Sequence, residues 1–558
     1  MPEHRARDAA ACRNWQGSRH GYIPRTWWMD PSWIAVWLAR RSFAASTRGR
    51  HRMARLYVQL NSILTGMDVE ADSKIGPGLL LTNPLGVSLW IDAGKDLTFH
   101  ALSGSGNTMR NGQLEGKPIV GDSVEFGAFS GAQGPIDLGD DVQIRPGASA
   151  LRSVKSGLCV SQRVAMRIHN NTGETLELTE PPSGAPQPCS HRSLSVSLQH
   201  WRSDRDRLMN EAEKFSPDAK PGRLSAALLN QNMALLVHRL AHLCHMRNWR
   251  RVANILTGFN RWIFKLTIPP HACLGPGVWL PHLAGTIVHA QTGPGLTGFA
   301  QTCLMPRHGP FAPLSHAPIV AENVLIAAHA GAFGSVHLGA QSTLSRKANI
   351  VETVPPGTTV FAEASAAIFG QPNALPIRKA ETTKLPSWRA VKQEDHRARL
   401  RFETNYGKLP LQSRLAVHLF RKAQFAFHAN QIRKARTYWL VSRYMTGADI
   451  SARSQIGPGF VVVCAPGVTF DGAAGRNLTL MGQLFVGGVT LDGRRAATPA
   501  ETPELGENIT LYPHTVVYGG CTIGDKATID AGVTISQDVP EEYYVAAPNV
   551  RNRTRRIG

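Results

Sequence analysis

Aliphatic residues recur at every sixth position near the end of the chain. From Leu505 to Ile535 the sequence reads LGENIT-LYPHTV-VYGGCT-IGDKAT-IDAGVT-I. A stretch from Val320 reads VAENVL-IAAHAG-AFGSVH-LGAQST-LSRKAN-I, and a weaker one from Leu138 reads LGDDVQ-IRPGAS. A six-residue period predicts very short strands joined by turns, with three strands in each coil and the aliphatic side chains stacked inside. The pattern therefore predicts a parallel β-helix built from hexapeptide repeats.

A different period precedes the hexads. Between Leu236 and Phe264, and between Leu415 and Gly447, apolar residues recur at steps of three and four. This spacing is typical of helices that bury one face. The two stretches are rich in Arg, Leu and Trp, and each ends shortly before a Gly-Pro-Gly segment.

The Gly-Pro-Gly segment belongs to a frame that occurs three times. The three copies are IGPGLLLTNPLG (Ile75–Gly86), LGPGVWLPHLAG (Leu274–Gly285) and IGPGFVVVCAPG (Ile456–Gly467). The ninth position is not constant and holds Asn83, His282 or Cys464. We interpret the frame as a requirement of the fold and the ninth position as a chemical requirement that only the second copy meets.

These patterns predict a mainly β chain with helices, organised as three modules that each carry a helical lead and a β-helix. The predicted boundaries are 1–160 for the first module, 161–222 for a linker and the start of helices, 223–374 for the second module, 375–412 for a linker, and 413–558 for the third module. The linkers are polar, charged or Pro-rich and show no convincing period.

Composition adds little that is specific. The chain has 558 residues, a net charge of +21 and eight Cys without a C-x-x-C pair. The charge suggests anionic partners such as a phosphate-bearing cofactor, although a general bias toward Arg explains it equally well. Scattered cysteines favour a reduced, cytoplasmic protein without a metal site. The first residues lack the apolar core of a signal peptide, and WIAVWLA (Trp33–Ala39) is too short to span a membrane.

Helices, an I-G-x-G frame, hexads and a V-P-P-like exit together resemble serine O-acetyltransferases and the related sugar acetyltransferases. The exits are the segments from Glu352 to Gly370 and from Gln537 to Arg553. The resemblance implies left-handed parallel β-helices that form trimers, with acetyl-CoA bound as co-substrate between neighbouring prisms. Three fused modules then imply an intramolecular pseudo-trimer. Further self-association is left open.

The resemblance also assigns roles to positions in the second copy. His282 lies at the position of the general base, which takes the proton from an acceptor hydroxyl, and His316 lies at a second histidine of the same cleft. Pro281 replaces the aspartate that holds an amino-acid acceptor, and Thr267 replaces the aspartate that orients the base. Whether the two histidines share one cleft or lie in different clefts is left open.

The first copy retains a different part of the set. Asp68 holds the orienting position, whereas Asn83, Thr82 and Gly116 replace the base, its neighbour and the second histidine. Because Asp68 begins a β-helix coil, a turn or cap role is the alternative that we favour on sequence alone.

The third copy repeats this loss. Asp449 remains, with the same two interpretations, while Cys464, Val463 and Thr502 replace the base, its neighbour and the second histidine. Cys464 is expected to be a small buried residue because no base or cation lies near it in the sequence.

Further residues are expected around such a site. His308 lies in the loop that the family places over the active site, which makes it a candidate for contact with the substrate. Arg346, Lys347 and Lys526 lie in late coils and are expected to bind the phosphates of CoA. The alternative is that these three cations are solvated corners of the prism.

The sequence thus predicts an acyl-CoA-dependent O-acyltransferase with one centre at His282, acting on a small-molecule hydroxyl other than that of serine. The main alternative is a non-catalytic β-helix scaffold that binds a partner enzyme. Nucleic-acid binding lacks a recognised motif, and a metal-dependent hydratase would need three convergent histidines that the sequence does not display.

Overall fold

The computed structural model describes residues 2–20, 23, 26–106, 108–110, 113–161, 167–170, 193–215, 226–307, 313–360, 386–488 and 497–546. The chain divides into two compact units. The first unit contains the first and third β-helices, and the second unit contains the second β-helix. His308, much of the predicted linker 161–222 and residues 375–385 of the predicted linker 375–412 lie outside the described residues. The rest of the range 375–412 is described and contains a helix from Trp388 to Tyr406, which the lack of a convincing period in the sequence did not predict. In the described ranges, no helix has the length and apolarity needed to cross a bilayer.

The described helices precede the β-helices in sets of three. They are α1 (Pro2–His20), α2 (Pro31–Thr47), α3 (His51–Thr65), α4 (Leu194–Phe215), α5 (Asn230–Met246), α6 (Arg250–Ile263), α7 (Trp388–Tyr406), α8 (Leu411–His428) and α9 (Ile432–Thr446). The second and third helices of each set pack against each other. The helical leads predicted from the three- and four-residue period are therefore confirmed.

The first β-helix consists of three parallel sheets that form the faces of a prism. One face has β1 (Asp68–Val69), β4 (Ser88–Leu89), β7 (Gly104–Gly106), β12 (Gly131–Gln133) and β15 (Ser149–Ala150). The next has β2 (Lys74–Ile75), β5 (Asp92–Ala93), β10 (Ile119–Val120) and β13 (Asp137–Leu138). The last has β3 (Leu80–Leu81), β6 (Thr98–Phe99), β11 (Glu125–Phe126), β14 (Gln143–Ile144) and β16 (Cys159–Val160). A separate antiparallel hairpin joins β8 (Thr108–Arg110) to β9 (Gln113–Glu115).

The second β-helix has the same three faces. One face has β18 (Cys273–Leu274), β20 (Gln291–Thr292), β23 (Ile319–Val320) and β26 (His337–Leu338). The next has β19 (Ile287–Val288), β22 (Cys303–Met305), β25 (Gly331–Phe333) and β28 (Asn349–Ile350). The last has β21 (Thr297–Gly298), β24 (Leu325–Ile326), β27 (Thr343–Leu344) and β29 (Thr359–Val360).

The third β-helix completes the series and also pairs with a strand that follows the first β-helix in the chain. One face has β30 (Asp449–Ile450), β33 (Val468–Phe470), β36 (Leu484–Gly487), β39 (Val516–Tyr518) and β42 (Thr534–Ile535). The next has β31 (Gln455–Ile456), β34 (Ala473–Ala474), β37 (Glu504–Leu505) and β40 (Thr522–Ile523). The last has β32 (Val461–Val462), β35 (Thr479–Leu480), β38 (Thr510–Leu511), β41 (Thr528–Ile529) and β43 (Tyr543–Ala546). Strand β17 (Arg167–Asn170) pairs antiparallel with β43.

Strand register explains the six-residue period. Lys74 pairs with Asp92, and Thr510 pairs with Thr528, so each partner lies three hexads further along the chain. The aliphatic residue that opens each hexad is buried, as Leu505 and Ile523 show, and each prism has its own apolar core. The prediction of three hexapeptide-repeat modules, each with preceding helices, is therefore confirmed.

The Gly-Pro-Gly frame is required by backbone geometry. The first glycine of the frame has no room for a side chain, because the next coil packs directly against the turn. A Cβ added at Gly76 would lie 2.5 Å from the carbonyl oxygen of Gly94, and one added at Gly457 would lie 2.7 Å from that of Gly475. The second glycine has a positive φ in every copy, for example +74° at Gly277. Such a φ is strained for other residues, so both glycines are fixed by the fold.

A buried Arg–Asp pair holds this frame in each copy. In the third copy, Arg421 donates to the carbonyl oxygens of Ile456 at 2.6 Å and Gly457 at 2.7 Å. Asp395 pairs with Arg421 at 2.8 Å and accepts the amide hydrogens of Gly459 and Phe460, both at 2.9 Å. The pair therefore satisfies both sides of the turn and attaches the helical lead to the β-helix.

The same clamp occurs in the other two copies. Asp8 with Arg40 and Asp204 with Arg239 bind the corresponding turn atoms around Gly76 and Gly275. In all three copies the arginine lies 35 residues before the isoleucine or leucine that opens the frame. We name these three pairs the frame clamps.

We predict that Asp395→Asn lowers the free energy of unfolding by about 3–5 kcal/mol, since it leaves the buried Arg421 charge without a counter-ion. The measurement is the first unfolding transition of the full chain in urea. Glu394→Gln is the matched control, because Glu394 forms an exposed pair with Arg397. An equal shift in both variants would contradict the role of the clamp.

Candidate functional site

A pocket lies between the first and third β-helices, inside the first compact unit. The first module contributes Trp15, Arg19, Thr82, Asn83, His100 and Ala101, and the third contributes Asp449, Thr469, Asp471, Phe485, Gly487, Gly488 and Ala497. An apolar cluster of Ala101, Leu102, Ala128, Phe129, Phe485, Val516 and Tyr518 joins the same two prisms. We name this pocket the first–third cleft.

The first–third cleft places the base position of one copy against the orienting position of another. The amide nitrogen Nδ2 of Asn83 lies 3.3 Å from Oδ2 of Asp449 and 3.5 Å from Oγ1 of Thr469. Asn83 also accepts the amide hydrogen of Leu85 at 3.1 Å, which fixes its side chain. The ninth residue of the frame thus faces the neighbouring prism.

A network of cations neutralises Asp449, which is almost completely buried. Arg19 pairs with its carboxylate at 2.8 Å, and the indole of Trp439 donates to it at 2.7 Å. Burial alone would raise the pKa of this carboxyl, but Arg19, Arg443 and the Trp439 hydrogen bond hold the pKa below its ordinary value. Asp449 is therefore an ionised structural group in this cleft.

The cleft also contains a hydrogen-bonded chain of three side chains. Oγ1 of Thr82 lies 3.0 Å from Nδ1 of His100, and Nε2 of His100 lies 3.1 Å from Oε1 of Glu125. With the hydroxyl as donor to Nδ1, the ring proton is on Nε2 and is donated to the carboxylate. Thr82, at the position of the acceptor-binding aspartate, is thereby held within the first prism.

In the second copy, His282 lies in the half-buried turn that ends the frame. Its carbonyl oxygen accepts the hydroxyl hydrogen of Thr286 at 2.9 Å, and the preceding carbonyl of Pro281 accepts from Gln231 at 3.0 Å. The backbone of this turn is therefore fixed from two sides. Thr267, at the orienting position, is buried and donates its amide hydrogen to Thr286.

His316 is exposed at the end of a short 3-10 helix, Leu314–His316. This helix directly precedes β23 in the chain. That His282 and His316 share one cleft stays a prediction. His308 lies outside the described residues.

The three predicted cofactor-binding cations lie at coil corners. Arg346 and Lys347 are half-buried in the turn between β27 and β28, and burial lowers the pKa of both, to about 10 for Arg346. Lys526 is exposed and pairs with Glu542 at 2.6 Å, which raises its pKa. Lys347 and Lys526 both have positive φ, the conformation of the tight corner.

Comparison with known proteins points to one family. A Helicobacter pylori serine acetyltransferase is 31% identical over 132 residues, which are 23% of this chain and 75% of that enzyme. The chain belongs to the serine acetyltransferase family. A serine acetyltransferase from Mycobacterium tuberculosis is 30% identical over 125 residues, covering 22% of this chain and 54% of the relative. No family model matches the chain.

Solved serine acetyltransferases align with part of this family member. The enzyme from Brucella abortus strain S19 is 22% identical, with a TM-score of 0.27, over 32% of this chain and 71% of that chain. The same enzyme in complex with coenzyme A gives 22% identity and a TM-score of 0.28, over 32% of this chain and 70% of that one.

In this serine acetyltransferase-family chain, Cys464 is a buried thiol. A Cβ added at Gly482 would lie 2.9 Å from its Cβ, so the thiol is tightly packed. The prediction that Cys464 is a small buried residue is confirmed.

Sequence reasoning missed Arg19, His100 and the frame clamps. Arg19 and Asp449 are 430 positions apart, and no local pattern links them. The frame clamps did leave a signal, since the constant spacing from each arginine to its frame appears when the three copies are aligned on Gly-Pro-Gly.

We predict that Asp449→Asn destabilises the protein at pH 7 by about 3–5 kcal/mol, because Arg19 and Arg443 lose their shared counter-ion. The folded-state pKa of Asp449 is lowered from 3.8, so its stabilisation is complete above that value and is lost as the pH falls through the folded pKa. Urea unfolding at pH 7, 5 and 3.5 should show the wild-type advantage shrinking only at the lowest pH. Asp206→Asn, at an exposed pair, is the control.

Proposed function

We propose that the protein is an acyl-CoA-dependent O-acyltransferase whose general base is His282. The observation that carries the proposal is the ninth frame position, where only the second of three equivalent copies has a histidine. A neutral imidazole with a pKa near 7 can take a proton from an alcohol, which asparagine and a packed thiol cannot do at this position.

We also propose, as the family resemblance implies, that the three modules form an intramolecular pseudo-trimer. The first–third cleft supports this arrangement, because two modules meet directly there, with Asn83 of one copy facing Asp449 of another.

In the proposed reaction, His282 accepts the hydroxyl proton while the acceptor oxygen attacks the thioester carbonyl. The carbon–sulfur bond breaks, the ester forms, and the departing thiolate receives the proton from the imidazolium. His316 would line the acceptor side of the cleft.

The acceptor is proposed to be a hydroxyl compound other than serine, such as a sugar or a specialised metabolite. In the family, the aspartate before the base would meet the amino group of an amino-acid acceptor, and here Pro281 takes that place. A proline side chain offers no charge, and the Pro281 carbonyl already accepts from Gln231. His308 is proposed to contact this acceptor.

CoA is the proposed co-substrate, with acetyl as the simplest acyl group. Arg346, Lys347 and Lys526 are the proposed phosphate-binding cations, because they lie in late coils and carry the required charge. Lys526 would have to exchange its pairing with Glu542 for a phosphate. No step of acyl transfer depends on these residues beyond binding.

We predict that His282→Ala lowers kcat/KM for acetyl-CoA consumption by about 10²–10⁴-fold, the usual contribution of a general base. The assay follows release of free CoA over a panel of sugars and other alcohols. Cys464→Ala is the matched control at the same frame position of the third copy, and it should retain full activity. Undiminished activity in His282→Ala would rule the mechanism out.

A non-catalytic scaffold is the second candidate function. It is favoured by the first–third cleft, where Arg19 and Asn83 both donate hydrogen bonds to the Asp449 carboxylate. These bonds make the cleft a packing contact between two modules. Calorimetry separates the two functions. Failure of the full chain to bind CoA, together with a stable complex with another protein, would support the scaffold.

A further inference from the structure

Helix α6 carries an apolar stripe on its outer surface. The stripe consists of Trp249, which precedes the helix, and of Val252, Ile255, Phe259 and Trp262. Their exposed fractions are 57%, 44%, 70%, 45% and 48%, respectively. The spacing of three and four residues places all five on one side of the helix, and Ala253, Thr257 and Asn260 are buried on the other.

The charge around the stripe is entirely positive in sequence. Residues 219–321 contain no Asp or Glu and nine Lys or Arg. Arg247, Arg250 and Arg251 are exposed at the beginning of α6, and the guanidinium of Arg247 lies 5.9 Å from the ring centroid of Trp249. The stripe therefore combines apolar side chains with flanking cations.

The other two copies lack tryptophans at these positions. At the aligned positions the third copy has Gln431, Lys434, Thr437, Val441 and Tyr444, and the first has Arg50, Met53, Leu56, Leu60 and Ile63. The first copy thus also presents apolar side chains, with Met53 43% and Leu56 46% exposed, but no indole ring. The two exposed tryptophans are a property of the second copy alone.

We propose that α6 binds the surface of anionic phospholipid bilayers and anchors the protein there peripherally. A helix with one apolar face and flanking arginines lies in the bilayer interface, with the apolar side chains entering the acyl boundary. Tryptophans at both ends of the stripe suit the interface, because the indole has an apolar body and a polar N–H. The arginines add attraction to anionic headgroups.

A second copy of the chain fits this face less well. A twofold contact between two α6 helices would bring the arginines of both chains into one interface, and neither helix offers a carboxylate to balance them. A bilayer instead provides negative charge and apolar depth together. The proposal is independent of the proposed acyl transfer, and its test uses no enzyme assay.

The test is sedimentation of the full chain with vesicles. Wild-type protein should bind vesicles of equal parts phosphatidylglycerol and phosphatidylcholine, and should bind pure phosphatidylcholine much more weakly. The triple variant Trp249→Gln, Val252→Lys and Ile255→Thr should lower the partition coefficient at least about tenfold. These are the residues of the third copy, where the equivalent helix tolerates them, and circular dichroism verifies folding.

Two further variants separate apolar and charge contributions. Arg250→Gln and Arg251→Gln should lower binding to the anionic vesicles by about fivefold for each charge removed, and high salt should have the same effect. Met53→Lys with Leu56→Thr makes the same exchange on α3 and should leave vesicle binding unchanged.

Three results would overturn the proposal. One is wild-type protein that stays in solution with anionic vesicles. Another is a dimer in vesicle-free buffer that the triple variant abolishes, which would assign the stripe to a second copy. The last is a triple variant that binds polyglutamate and the anionic vesicles as tightly as the wild type does. That result would mean that positive charge alone, and not the apolar stripe, is responsible for binding.

Discussion

The buried Arg–Asp pair at each Gly-Pro-Gly turn is the interaction on which the architecture depends. Removing two charges from water is costly, and a buried pair alone is weak evidence for stability. Here, however, each pair also satisfies backbone groups that the turn leaves without partners. Arg421 donates hydrogen bonds to two carbonyl oxygens, and Asp395 accepts two amide hydrogens, at the point where the chain enters the β-helix. The frame is constant because its backbone is fixed by the next coil and by this pair.

Once the frame is fixed, its ninth position can change without loss of the fold. The first–third cleft illustrates the physical consequence. Asn83 donates a hydrogen bond to Asp449 but carries no positive charge. With Asn83 alone, the negative charge of the buried carboxylate would not be neutralised. Arg19 from α1 pairs with that carboxylate and stacks on Trp439, with its guanidinium 4.8 Å from the ring centroid. A position that serves catalysis in the family has become an ion pair that joins two modules.

The sequence allowed prediction of everything that depends on local repetition. Hexads opening with residues such as Leu505 and Ile523 determine strand, turn and core together, because side-chain direction repeats with the coil. The constant glycines followed from the same repetition. What could not be predicted depends on contacts between distant segments: Arg19 with Asp449, Asn83 with Asp449, and Thr82 with His100 and Glu125. Position along a repeat identifies equivalent residues but does not state which residues face each other across a cleft.

Fusion of three copies in one chain changes what a single substitution can do. In an assembly of three identical subunits, every cleft and every helix face carries the same residues, so a change at the ninth position alters all sites at once. In a tandem chain each copy can change alone. The first and third copies have used this freedom to convert a cleft into an ion-paired contact, while the second keeps His282 and presents the aromatic stripe of α6. Because the copies change independently, the residues that pack the first–third cleft place no constraint on the ninth position of the second copy, which is a histidine.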